Sequence, residues 1–203
     1  MNPEVSSASV GSRAPTELGE ERTSSLQARI ARGLIAIGLG ALVVALSAQV
    51  VVPVPFSPVP MTLQPLAVLV VGGLLGATRG LAALVLYLSL GLVGLPVFWG
   101  GGSGLAHAIG PTGGYLLAFP LAAAATGALV SHAPRSVLHV LLACALGMLI
   151  IHVGGVARLA LLGGDPTAAF RFGFLPFLTG DLLKVGLAAA IVLALGPKFR
   201  PLL

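Results

Sequence analysis

The stretch Pro176-Phe-Leu-Thr-Gly-Asp-Leu-Leu-Lys-Val-Gly-Leu-Ala-Ala-Ala-Ile-Val-Leu-Ala-Leu195 sets one carboxylate, Asp181, and one ammonium, Lys184, in otherwise apolar sequence. It has the length of about 20 residues that a helix needs to cross a ~30 Å hydrocarbon core, so both charges are expected inside a membrane. Each costs about 2.5–3.5 kcal/mol at a helix centre unless it meets a partner, a cavity or a ligand. At spacing i, i+3 the two side chains share one helix face, within reach of a common small molecule. The bland alternative is a pair that only locks helices together. Intramembrane ionisable residues nevertheless mark functional sites by default, so Asp181 and Lys184 are the first candidate ligand groups.

Composition extends this reading to the whole chain. Of 203 residues 57% are hydrophobic and 8% charged, with 28 glycines, which fits an all-α integral membrane protein and not a soluble domain. The formal net charge of +5 does not indicate nucleic acid, because the basic residues are scattered at segment ends instead of clustering on a face. Cys144 is the single cysteine, which excludes an intrachain disulfide and a cysteine-based metal cluster.

Residues 1–27 carry four of the six acids, Glu4, Glu17, Glu20 and Glu21, and read as a disordered cytoplasmic tail without the features of a signal peptide. Residues 28–203 form the expected membrane domain. Arg29 and Arg32 open a first apolar run that reaches about Val52. The loop Pro53-Val-Pro-Phe-Ser-Pro-Val-Pro60 follows, stiffened by four prolines. A second run from Met61-Thr-Leu-Gln64 to near Gly76 is short, at about 15 residues or ~22 Å. Arg79 marks a tight turn, and Gly80 to Leu95 forms the third run. The glycine-rich stretch from Gly94 to Gly114 contains Phe98, Trp99 and Ser103, where flat apolar faces meet pliant backbone that can approach a ligand closely. Further runs cover about Tyr115–Val130 and Val137–Leu162, and Gly163-Gly-Asp-Pro166 signals a turn. Pro176 suits the first turn of the last helix. Arg29, Arg32, Arg79, Arg135, Lys198 and Arg200 all fall on one side of six spans, so both termini are expected in the cytoplasm. The proline loop, the glycine-aromatic loop and the start of the last helix then share the outer face. Arg158, near the outer end of the fifth run, offers a second cation.

One buried acceptor, one buried donor and apolar walls suit a small amphipathic molecule with an amide-like or anionic group. There is no GxxxxGK[ST] loop, no zinc pair and no serine elbow, so no enzyme activity, cofactor or metal is expected. His107, His132, His139 and His152 share no ligand spacing, and structural hydrogen-bonding roles are expected for them. An intramembrane Asp beside Lys also occurs in proton relays, which keeps proton coupling open.

Four blocks resemble the BioY family, the biotin-specific substrate-binding subunits of energy-coupling-factor (ECF) transporters. They are Pro-Phe-Ser-Pro-Val-Pro-Met-Thr-Leu-Gln at 55–64, Gly-Leu-Val-Gly-Leu-Pro-Val-Phe at 91–98, Gly-Pro-Thr-Gly-Gly-Tyr at 110–115 and Gly-Asp-Leu-Leu-Lys at 180–184. The resemblance runs from about Arg29 to the C-terminus and implies an ECF S-component fold in a bacterial or archaeal cytoplasmic membrane. It implies biotin as ligand, with a transmembrane coupling subunit and ABC ATPases as partners, and contacts from Asp181 and Lys184 to the vitamin. Tyr115, Trp99, Phe98, Ser103, Gln64 and Arg158 complete the expected substrate-binding set; Trp99 stands where the family pattern has a small residue. Two other functions remain open: a self-sufficient carrier, with or without proton coupling, and a purely structural membrane subunit.

The first helix carries two stripes of small residues, Gly33, Ala36, Gly40 and Ser47 against Gly38, Ala41, Ala45 and Ala48. Small stripes allow close helix approach in lipid. One is expected to serve the bundle and the other a partner. The family resemblance assigns the docking role to Ala41 and Ala45.

Overall fold

A computed structural model describes residues 15–133 and 136–199, with side chains from residue 26 onward. Residues 1–14, Arg135 and Arg200, on which parts of the tail and topology expectations rest, lie outside the described set. Helix α1 (Pro15–Ser47) starts inside the stretch expected to be a disordered tail, although its membrane-length apolar part begins at Leu26. Strands β1 (Val51–Val52) and β2 (Met61–Thr62) pair antiparallel at the ends of the proline loop. Then come α2 (Gln64–Leu92), α3 (Gly104–Ile109), α4 (Gly113–His132), α5 (Val137–Gly163), α6 (Pro166–Gly173) and α7 (Leu178–Phe199). Five segments, α1 from Leu26, α2, α4, α5 and α6–α7, are long and apolar enough to cross a membrane. Leu34, Leu42, Leu117, Leu142 and Leu183 point outward, each more than half exposed, which in water would be an aggregating surface and in lipid is solvation.

The second segment does not run straight. Gly76 has φ 80° and ψ 177°, a conformation only glycine takes readily, and the chain reverses there. Gln64 Nε2 bonds the Tyr87 hydroxyl at 2.6 Å, whereas 23 residues of straight helix would separate them by about 35 Å. The α2 segment is therefore a hairpin of two short arms. The reversal falls at Gly76, three residues ahead of the turn expected at Arg79, because the strained position needs a glycine.

Helix α4 crosses this hairpin with almost no side chain between backbones. A Cβ added to Gly72 would lie 2.4 Å from the Ala123 carbonyl oxygen, and one on Gly127 would lie 2.5 Å from the Gly76 carbonyl carbon. On the other side, Gly40 of α1 packs against Ala83, Leu75 and Val71. Ala41, Val44 and Ala48 are fully buried against the bundle and Ala45 packs beside them, while Gly38 is open. Of the two residues expected to dock a partner, Ala41 is buried against the chain's own helices and Ala45 is half-buried beside it. Small residues from both expected stripes, Gly33 and Gly40 with Ala41 and Ala48, share one buried face.

The Gly163-Gly-Asp-Pro166 signal is realised fully. Gly164 closes α5 in the left-handed region, with φ 69°, and Asp165 caps α6 through Thr167 N and Ala168 N at 2.9 and 3.1 Å. Pro176 sits in a short 3₁₀ turn, Leu175–Phe177, one turn before α7 and not within its first turn. The extra helix α6 and this turn bring α7 in beside α5, so that Asp181 lies in the first turn of α7.

Candidate functional site

Asp181 is where α5 and α7 meet. Its Oδ1 accepts from Lys184 Nζ at 2.9 Å, one turn along the same helix, and its Oδ2 lies 2.6 Å from His152 Nε2 on α5. All three side chains are more than nine-tenths buried. A lone carboxylate in such a place would be strongly disfavoured; its two partners make it tenable. The His152 ring is fixed by aromatic edges, 4.9 Å from Phe174 and 6.0 Å from Tyr115, both near perpendicular.

This triad forms one wall of a cavity with an empty volume of ≈ 510 Å³, counting its open mouth. Val59–Thr62 and Trp99 cover it, Tyr115, Leu116 and Phe119 of α4 face the charges, and Gln64 and Phe177 close the sides. The size and the mix of apolar lining with a few convergent polar groups are those of a small-molecule site. His152 and Asp181 also back a second, apolar groove between α5 and α7, bordered by Met148, Leu149, Phe174, Leu178 and Leu182. They are a partition one side chain thick.

Two loops hold the cover. The proline loop is fastened at its base by the β1–β2 pair and at its middle by Ser57 Oγ donating to Phe172 O at 2.8 Å. Phe56 at its tip has φ 65° and a side chain 92% exposed. The glycine loop carries Gly94, Gly100, Gly101 and Gly104 at positive φ. It is pinned by Gln49, whose Oε1 accepts from Gly101 N at 3.1 Å and whose Nε2 donates to Phe98 O at 3.3 Å.

Of the residues expected to bind substrate, Asp181, Lys184, Tyr115, Trp99 and Gln64 come together on the cavity. Tyr115 also anchors the fold: its hydroxyl donates to Gly173 O at 2.6 Å, and its ring occupies the place of a side chain at Gly155. Gln64 is bonded to both Tyr87 and Thr62. Trp99 Nε1 is buried without a hydrogen-bond partner among the described residues. Phe98, Ser103 and Arg158 do not line the cavity. Phe98 is fully buried against Gly91 and the edge of Tyr87, where it holds the loop to α2. Ser103 is the residue before α3. Arg158 is half-buried beside Gly114, and its Nη2 donates to Ile109 O on α3. His152, of which a structural hydrogen-bonding role was expected, makes such a bond to Asp181 and also lines the cavity. Its partner lies 29 residues away, so no local spacing announces the pair; the remaining signal was a histidine in the middle of an apolar span.

Comparison with known proteins gives the same picture from an independent direction. The chain is 38% identical over 159 residues, 78% of its length and 93% of the relative's, to the probable biotin transporter BioY of Pyrococcus horikoshii. It is 37% identical over 164 residues, 81% of its length and 95% of the relative's, to the biotin transporter BioY of Thermotoga maritima. Its fold matches the crystal structure of the S-component for biotin from an ECF-type ABC transporter with a TM-score of 0.78 at 26% identity, covering 84% of this chain and 95% of that one. The sequence profile of the BioY family matches residues 19–200, and the chain belongs to that family.

Proposed function

We propose that this chain captures biotin on the outer face of a cytoplasmic membrane and serves as the substrate-binding subunit of an ECF-type ABC transporter. The observation that carries the reading is the cavity itself, in which the bonded polar group Asp181, His152 and Lys184 shares the lining with the apolar side chains Leu116, Phe119 and Phe177. Biotin matches that division, with a polar cyclic urea fused to an apolar ring and an aliphatic tail. The role is transport and not catalysis. Movement against a gradient then draws on a transmembrane coupling subunit and ATPases, since the sequence has no nucleotide loop of its own.

The membrane domain of residues 28–203 has six crossings, the two arms of the α2 hairpin counting separately, with both termini cytoplasmic. Supporting this, a Cβ on Gly33 would lie 3.5 Å from Arg79 Nε, which places the start of α1 beside the hairpin's turn. Val192, six residues before Lys198, packs on Gly73 near the same end. Arg29, Arg32, Arg79 and Lys198 thereby fall toward one end of the bundle.

Equilibrium binding of labelled biotin to the purified chain in detergent tests the reading. Saturable binding displaced by unlabelled biotin is expected, and its absence in folded protein refutes it. Biotin uptake by the chain alone in sealed vesicles would replace the ECF subunit with a self-sufficient carrier.

A further inference from the structure

We infer that His152 Nδ1 is a hydrogen-bond acceptor for the ligand, held in that state by Asp181; the inference rests on biotin being the ligand. His152 lines the cavity, and its Nδ1, shielded from water, has no hydrogen-bond partner among the described residues. An unpaired nitrogen in a dry wall is costly unless something completes it. Which group completes it depends on where the ring proton sits. Asp181, salt-bridged to Lys184 at 2.9 Å, is ionised and can only accept, so the proton in the 2.6 Å contact belongs to His152 Nε2. A neutral imidazole with Nε2–H has its lone pair on Nδ1. The neutral ring is also the form that balances the site. Among the described residues from 26 on, the other carboxylate is Asp165, engaged as the cap of α6, so a second cation beside Lys184 would be uncompensated.

The chemistry of the ligand supplies the need. The two N–H groups of a five-membered cyclic urea diverge on either side of its carbonyl, so one carboxylate cannot receive both in good geometry. Asp181 on α7 and His152 Nδ1 on α5 provide acceptors from two elements. The urea carbonyl is left for a donor, and Lys184 Nζ uses one of its three hydrogens on Asp181.

Two isosteric substitutions and a pair of ligand analogues separate this role from that of a mere brace. In His152→Gln the side-chain amide reaches the position of Nε2 and keeps the bond to Asp181, but no acceptor stands at Nδ1. In His152→Asn the carbonyl oxygen mimics Nδ1 and the link to Asp181 is lost. The probes are biotin and its two analogues methylated on one or the other ureido nitrogen. Biotin binding to His152→Gln is expected to weaken by ~10-fold, the scale of one hydrogen bond. The parent's discrimination against one methylated isomer should shrink in the same variant, while His152→Asn retains it. Without any variant, the ¹⁵N resonance of Nδ1 in selectively labelled parent protein should move to the position of a hydrogen-bonded acceptor on saturation with biotin. His152→Gln binding biotin within twofold of the parent overturns the inference, as does an Nδ1 resonance unmoved at saturation. A folded parent that binds no biotin refutes the proposed ligand instead, so the two failures are distinguishable.

Discussion

The wall and the roof of the cavity are built on opposite principles. The wall draws its three ionisable groups from two long helices, each group bonded to the next and fixed by aromatic edges, so its electrostatics are set before a ligand arrives. The roof is loop, and its two halves differ again. One is stiffened by prolines and a two-strand clasp, the other threads four glycines at positive φ and hangs on Gln49. Charge is placed where the backbone cannot yield, and shape where it can. Recognition of polar groups should therefore be lost by changes in the wall, and rates of entry and exit by changes in the roof.

Breaking the wall gives the largest expected effect. Asp181→Ala leaves Lys184 without a counter-charge and the His152 Nε2–H without an acceptor, and biotin affinity should fall by about 2–5 kcal/mol, as for a buried charge that loses its partner. Lys184→Ala should act similarly, and Asp181→Asn should be intermediate because it keeps an acceptor. Titration with labelled biotin measures all three; near-parental binding by folded Asp181→Ala would show that the wall is not the polar site.

The seam behind the wall comes next. A Cβ at Gly155 would stand 2.1 Å from the Tyr115 ring, so Gly155→Ala should force the ring off its bond to Gly173 and cost about 1–3 kcal/mol of stability. A lowered midpoint of thermal unfolding in detergent is expected, and an unchanged one would mean that α4 and α5 part more easily than their packing indicates. On the roof, Trp99→Phe keeps a flat ring but deletes the buried, unpartnered N–H. Affinity should drop by about 1 kcal/mol or less, with parental stability. The smallest effect needs no mutation: amide exchange over residues 100–114 should slow when biotin is added, while Val54, Phe56 and Ser57 in the proline loop change little. Equal slowing in both would erase the distinction between the two halves of the roof.

How much of this was open to a reader of the sequence depends on the range of the interaction. Asp181 and Lys184 could be singled out because a helix turn puts them together and nothing nearby shares their charge. The turn at Gly163-Gly-Asp-Pro166 is equally local, although the helix α6 that it opens was not expected. His152 was not legible, since only tertiary packing sets α5 against the first turn of α7. Arg158 misled for the converse reason: its charge and depth were right, but its guanidinium satisfies Ile109 O on α3 and leaves the cavity. The small residues of α1 show a further limit. Composition reveals that a face permits close approach, and the direction of that face depends on which neighbour claims it, here the α2 hairpin.

The contact between that hairpin and α4 has a mechanical consequence. Helices that touch through side chains can slide by exchanging rotamers, which is how shear movements proceed. Where Gly72 lies on Ala123 O and Gly127 on the Gly76–Ala77 peptide there are no rotamers to exchange, only backbone against backbone in one register. Gly114 and Gly154 bring the backbones of α4 and α5 together in the same way, so the α2 hairpin, α4 and α5 travel as a single block, and Gln64, Tyr115 and His152 travel with it. Displacement during a transport cycle falls to the loops and to the seams of this block with its neighbours, so a disulfide welded across α2 and α4 should leave turnover untouched while one across the two loops should arrest it.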